Sequence, residues 1–205
     1  MTTTTLDPKP PTRGRPRAFD LDAALDRALE VFSERGYQAA SISDLTEAMG
    51  LTSGSVYKAF KDKRGVFLAS FERYRTVRRV LLDARLKNAG TGRDKIRELL
   101  AFYADASHGL SGKRGCLVVS SANDLALFDE EAANQIKTAA AINEARILDL
   151  LRLGQTDGSI SPSVDAESCA RTLFCLTQGM RIAGKTGRGQ EEMAAVVDNA
   201  MQLVT

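Results

Sequence analysis

The stretch Ser41–Phe60, SISDLTEAMGLTSGSVYKAF, narrows the possible folds of this chain more than any other. It reads as two short helices, about 42–49 and 53–60, joined by a tight turn at Gly50-Leu51-Thr52. Ser41 with Asp44 three residues on is a capping-box pattern, and Gly50 is placed to end the first helix. The second helix opens on small polar residues and then carries Tyr57 and Lys58. That is the layout of a helix-turn-helix, whose second helix enters the DNA major groove.

The apolar pattern elsewhere is also helical. Leu21, Ala24, Leu25, Ala28, Leu29 and Phe32 form one stripe of a helix over about 20–36, with Asp20 placed to cap it and Gly36 to end it. Asp62 is placed to cap a long helix reaching about Lys87. Further helices are expected over about 92–109, 115–127, 129–155, 164–184 and 189–204, with Ser111-Gly-Lys-Arg-Gly115 read as a break. No segment alternates like a strand and no internal repeat is present. The expected fold is all-α with about nine helices: a head over 20–64 and a second helical domain over 65–205. Residues 1–19 carry Pro8, Pro10, Pro11 and Pro16 and are expected to be flexible. Within them Arg13, Arg15 and Arg17 form a basic arm, suited to the minor groove or equally to a solvated tail.

Charge and cysteine usage exclude several classes. Residues 1–80 hold 14 Lys/Arg against 10 Asp/Glu, and the remainder holds 14 against 16, so the basic part is the head. No apolar run approaches a membrane span, and the N-terminus lacks the apolar core of a secretory signal. Cys116, Cys169 and Cys175 are odd in number and widely spaced, which argues for a reducing cytoplasm rather than a disulfide framework. His108 is the only histidine, so no zinc site is expected. Phosphate-loop and nucleophile-elbow patterns are absent; the expectation is no enzyme activity and no cofactor.

DNA recognition needs donors and cations for phosphates and short polar groups for base edges. Thr52, Ser53 and Ser55 stand at the start of the second helix, where free N–H groups favour a phosphate. Lys58, Lys61 and Lys63 are candidate phosphate contacts, and Ser41 and Ser43 would meet the backbone from the other side. Thr52, Ser55 and Tyr57 are the expected base readers, while Val56 and Phe60 are assigned to the head's core.

Residues from about Arg13 to Tyr74 resemble the tetracycline-repressor (TetR) family of bacterial transcription regulators. The likeness rests on Ala28-Leu-Glu-Val-Phe32, Gly36-Tyr-Gln-Ala-Ala-Ser41, Ile42-Ser-Asp-Leu45, Met49-Gly-Leu-Thr-Ser-Gly-Ser-Val-Tyr57 and Phe60-Lys-Asp-Lys63. The segment beginning Arg114-Gly-Cys-Leu is similar to a Gly-Cys-Leu opening found in one branch of that family. Gly65 departs from the pattern, which usually has an acidic residue or alanine there, and a glycine is expected to loosen the start of the fourth helix. The resemblance implies a homodimer that binds a palindromic operator and is released by a small-molecule effector bound in the C-terminal domain.

For the pocket, the resemblance points to Leu99, Phe102, Tyr103 and His108 on one helix and to Cys116, Val119, Asn123 and Phe128 beyond it. With no charged cluster among them, a small, apolar or uncharged effector is expected. Cys116 follows Lys113 and Arg114 and opens a helix, so an electrophile- or oxidant-sensing thiol is the alternative to a buried small hydrophobe; Lys185 is a candidate neighbour. For the dimer, Cys169, Leu173, Leu176 and Met180 form one stripe of the penultimate helix. Met193, Val196, Val197, Ala200, Met201 and Val204 form another on the last. These stripes pack either on their own domain or against their copies in a four-helix interface. An architectural DNA-binding protein without a ligand is the remaining alternative.

Overall fold

A computed structural model describes residues 20–123 and 129–205. Among them lie ten α-helices and no strand. The head comprises α1 (Leu21–Ala39), α2 (Ile42–Met49) and α3 (Ser53–Phe60), followed by the long α4 (Lys63–Leu86). The body comprises α5 (Gly92–Asp105), α6 (Gly109–Arg114), α7 (Leu117–Asn123), α8 (Glu130–Asp157), α9 (Ala166–Ala183) and α10 (Gln190–Ala200), which tightens into a last 3-10 turn. No helix is long and apolar enough to cross a membrane among the described residues.

The helix ends follow their side chains. Asp20, Ser41, Thr52, Asp62, Thr91, Asp129 and Asp165 each accept a backbone N–H at the start of a helix. Gly36 leaves the helical region at φ +78°, so α1 breaks where expected and adds one irregular turn before Ala40. Gly50 closes α2 at φ +65°, a conformation open to glycine without steric cost.

Two apolar clusters organise the molecule, and α4 belongs to both. Its N-terminal half puts Val66, Phe67 and Phe71 into the head core with Phe32, Leu45, Met49 and Val56. Phe32 and Phe67 meet edge to face at 5.4 Å, worth about 0.5–1.5 kcal/mol beyond burial. This cluster also takes in Leu117 of α7 and Ile136 of α8. The C-terminal half of α4 puts Leu82 and Leu86 into the body core with Ile96, Leu100, Leu151 and Leu173. A single rigid element therefore joins head to body.

Three expectations need correction. The fifth helix stops at Asp105, and Gly109–Arg114, read as largely a break, is itself a short helix. Its Gly112 packs on the backbone of Ser107 and Gly184, so the glycine serves close packing there. The stripes assigned to the dimer belong mostly to the chain's own core: Cys169, Leu173, Met180, Met193, Val197, Ala200, Met201 and Val204 are buried. Leu176 and Val196 pack partly buried against the same cluster. The reason is that α9 and α10 both lie on α5, whose Ile96, Leu99 and Leu100 need covering. Gly65 does not loosen α4. A Cβ there would stand 1.8 Å from the Phe60 carbonyl oxygen, so glycine is what lets α4 begin against the end of α3. Its N–H is held by Asp62 at 2.8 Å.

Candidate functional site: a DNA-binding head and a cavity behind it

Of the eight residues of α3 only Val56 is buried. Phe60 is partly covered, and Ser53, Gly54, Ser55, Tyr57 and Lys58 face solvent. Tyr57 is 51% exposed, a large ring left outside an otherwise well-covered head. The helix is anchored by one side and offers the rest. Its start is fixed by Thr52, whose Oγ1 accepts the Ser55 N–H at 3.2 Å and lies 3.0 Å from Ser55 Oγ. Its position against α2 is fixed by the Gly50 turn, and α2 is held to α1 by Arg27 donating to the Met49 carbonyl at 3.2 Å.

The candidate DNA contacts divide by what already holds them. Ser53, Tyr57, Lys58, Lys61 and Ser43 are exposed. Lys61 turns the chain at φ +71°, a conformation uncommon for a side-chain-bearing residue. Ser41 is exposed but engaged in its capping box, donating to Asp44 Oδ2 at 2.7 Å. Those bonds, with Arg35 at 2.7 Å, hold the Asp44 carboxyl below its usual range. Lys63 is a correction. Its Nζ donates to the Tyr37 carbonyl at 2.9 Å and sits 4.6 Å from the centre of the Tyr37 ring. It ties the end of α1 to the start of α4 instead of reaching out. Lys63→Met is expected to lower head stability by about 1.5–3 kcal/mol, the worth of a hydrogen bond to a charged group. Thermal unfolding reads that loss, and the salt dependence of DNA binding should stay unchanged because no phosphate contact is removed. Arg13, Arg15 and Arg17 lie outside the described residues.

Behind the head, a partly open cavity of about 140 Å³ lies between α4, α5, α7, α8 and α9. Of the expected lining residues, Phe102, Tyr103 and Cys116 are there. Leu99 is in the body core, and His108 stands at the start of α6 with its side chain making no cap bond. Val118 takes the place expected for Val119. Phe128 and the Asn123 side chain lie outside the described residues. The uncharged lining expected from sequence is contradicted: α4 contributes Arg75, Arg78 and Arg79, and α8 contributes Arg146.

The Tyr74 hydroxyl donates to Cys116 Sγ at 3.2 Å. Burial, with the Cys116 thiol beside it, pushes the Tyr74 phenol well above its usual range, and burial also raises that of Tyr103. Both stay neutral donors across the physiological range. Lys185 lies against Gly115, next to Cys116. A cross-link outside the cavity joins head and body: Arg64 at the start of α4 pairs with Asp129 and, at 2.8 Å, with Glu131 at the start of α8. Arg64 pulls the Asp129 carboxyl down to about 2.

The head with its exposed recognition helix and the helical body with its cavity each match a known family model. The model for bacterial regulatory proteins of the tetR family matches residues 24–70. That for the tetracyclin repressor-like C-terminal domain matches residues 92–200. This chain belongs to the tetR family. It is a DNA-binding transcription regulator. Among relatives of this tetR-family chain, the HTH-type transcriptional repressor ComR of Escherichia coli K12 is 30% identical over 94% of this chain and 92% of its own length. The transcriptional regulator CifR, solved as a cysteine mutant complexed with 26-base-pair operator DNA, superposes with a TM-score of 0.80 at 30% identity. That match covers 92% of this chain and 98% of CifR. The reduced form of Escherichia coli NemR has the same fold, with a TM-score of 0.76 at 20% identity over 90% and 96% of the two chains.

Proposed function

We propose that this tetR-family regulator is a cytoplasmic repressor, without enzyme activity, that binds a palindromic operator as a homodimer. A small molecule entering the cavity between α4 and α8 releases it. The observation that carries the reading is the course of α4. Phe67 and Phe71 on this helix are part of the head core, and Tyr74, Arg78 and Leu82 further along it line the cavity. A ligand that moves the middle of α4 moves the head with it, and two heads on one operator are sensitive to their separation. A cavity on that helix also favours an effector-responsive regulator over an architectural protein with no ligand.

The dimer face falls to the outer side of α9, because its inner side is core. Thr172, Cys175, Gly179 and Ile182 follow one another at helical spacing and are exposed. Beside them, Ala145 and Leu148 of α8 border a groove against α9. Small residues there allow two copies of the helix pair to approach closely. Arg13, Arg15 and Arg17, on the arm at 1–19, are proposed to add minor-groove contacts. The Gly115-Cys116-Leu117 segment supports assigning the chain to the branch of the family that shares this opening.

A second reading of the signal is favoured by one contact, the Tyr74 hydroxyl on Cys116 Sγ in the cavity wall. In it, modification of Cys116 by an electrophile or oxidant moves α4 through Tyr74. Footprinting on the gene's own upstream region, with the mass of the complex, tests the main reading. Two chains on a two-fold symmetric site support it, and protection without symmetry counts against it. Release of DNA by a thiol reagent in the wild type but not in Cys116→Ser selects the second reading.

A further inference from the structure

Among the described residues, the cavity wall carries more positive charge than its acids neutralise. Glu72 is the only acid there among the described residues, and it is engaged by Arg75 at 2.9 Å. Arg146 is paired with Asp83. Arg78 has no carboxylate partner among the described residues; its guanidinium lies 3.9 Å from the centre of the Phe102 ring and 5.6 Å from that of Tyr103. Stacking of this kind fixes the plane of an arginine while leaving its N–H groups available.

A second arginine stands just behind the same wall. Arg181 of α9 is 4% exposed. It is one turn beyond Gln178, which lines the cavity, and donates through Nη2 to the carbonyl of Gly115, the neighbour of the lining Cys116. Its Nε and Nη1 have no partner among the described residues. Its charge is felt at both Tyr74 and Tyr103. A buried guanidinium without a counter-ion is costly, and chains seldom keep one unless something supplies the missing negative charge.

We propose that the cavity binds a small organic anion, a monocarboxylate on a short apolar or aromatic body, with its carboxylate on Arg78 and the Tyr103 hydroxyl and in the field of Arg181. The size follows from the volume. A cavity near 150 Å³ admits benzene, so about 140 Å³ encloses roughly six non-hydrogen atoms, and its open side leaves room for a little more. The apolar body has Leu82, Phe102, Val118 and Ile142 to lie on. Arginine recognises a planar carboxylate through paired N–H groups, and an amide of the same shape offers one acceptor and no charge. This inference rests on the reading of the cavity as the effector site.

The test is binding of benzoate and butyrate, each against its neutral amide, to the full chain by calorimetry, with operator release measured separately. Expected is binding of at least one acid at least about tenfold tighter than its amide, a gap lost in Arg78→Gln. Arg78 is partly exposed, so that variant keeps its fold. Arg181→Met, which removes an uncompensated buried charge, is expected to be no less heat-stable than the wild type without ligand and to lose the preference for acids. Amides binding as well as both acids, or no acid binding at all, overturns the anion inference even if a neutral molecule releases DNA. Acids that bind through Arg78 without changing operator affinity leave the anion site standing and overturn its role as effector.

Discussion

Gly65→Ala is expected to damage this protein more than any other single methyl group added to the head. Alanine is the better helix former by about 1 kcal/mol, so an exposed site would gain stability from the change. Here the added Cβ meets the Phe60 carbonyl oxygen at 1.8 Å and its carbon at 2.9 Å. Both are backbone atoms at the end of α3 and cannot swing away as a side chain does. Overpacking of this kind costs about 1–3 kcal/mol, and rigid backbone on both sides puts the net loss toward the upper end. At roughly 2–4 °C per kcal/mol for a chain of this size, the melting temperature should fall by about 5–10 °C. The relief available is a shift of α3 away from α4, so operator affinity should fall by at least about tenfold even where the head stays folded, because recognition geometry tolerates only about 0.5 Å. Differential scanning calorimetry and operator titration read the two effects. Wild-type values in both would mean that α3 and α4 do not meet as described.

The second large effect is on binding alone. Tyr57 and Lys58 are exposed, and their side chains have no hydrogen-bond or ion-pair partner among the described residues. Removing both side chains should leave unfolding unchanged, since surface substitutions of this kind stay within about 0.5 kcal/mol. Losing a phosphate contact from Lys58 and a base or sugar contact from Tyr57 should weaken operator binding by about 10²-fold. In a dimer each substitution acts twice, so about two fewer counterions are released per complex.

The head was legible in sequence because its signals are local. A cap such as Ser41 with Asp44, or a stop such as Gly50, acts within four residues, and α2 and α3 fall where those residues place them. Apolar spacing likewise identified which faces of α9 and α10 are buried. What it could not say is what buries them: an apolar stripe looks the same whether it meets α5 of its own chain or a second copy. The cavity was the least legible feature. Its polar wall comes from Arg75, Arg78 and Arg79 on α4 and from Arg146 on the distant α8. Charge clusters assembled by tertiary contact leave no spacing to read. Lys63 shows the same limit in reverse, a lysine in a basic run whose Tyr37 and Gln38 carbonyl partners lie far back at the end of α1. Gly65 carried a signal, the break from the family's usual residue, but its meaning required seeing Phe60 against it.

Every functional step described above depends on the exposed face of α3 reading DNA. Fluorescence anisotropy of the operator duplex, titrated with wild type and with Tyr57→Ala/Lys58→Ala over a range of salt, tests this directly. The wild type should bind tightly and with strong salt dependence, and the variant should show a weaker affinity with a shallower salt slope at unchanged melting temperature. Equal affinity and equal slope for the two proteins would contradict a DNA-reading role for this face.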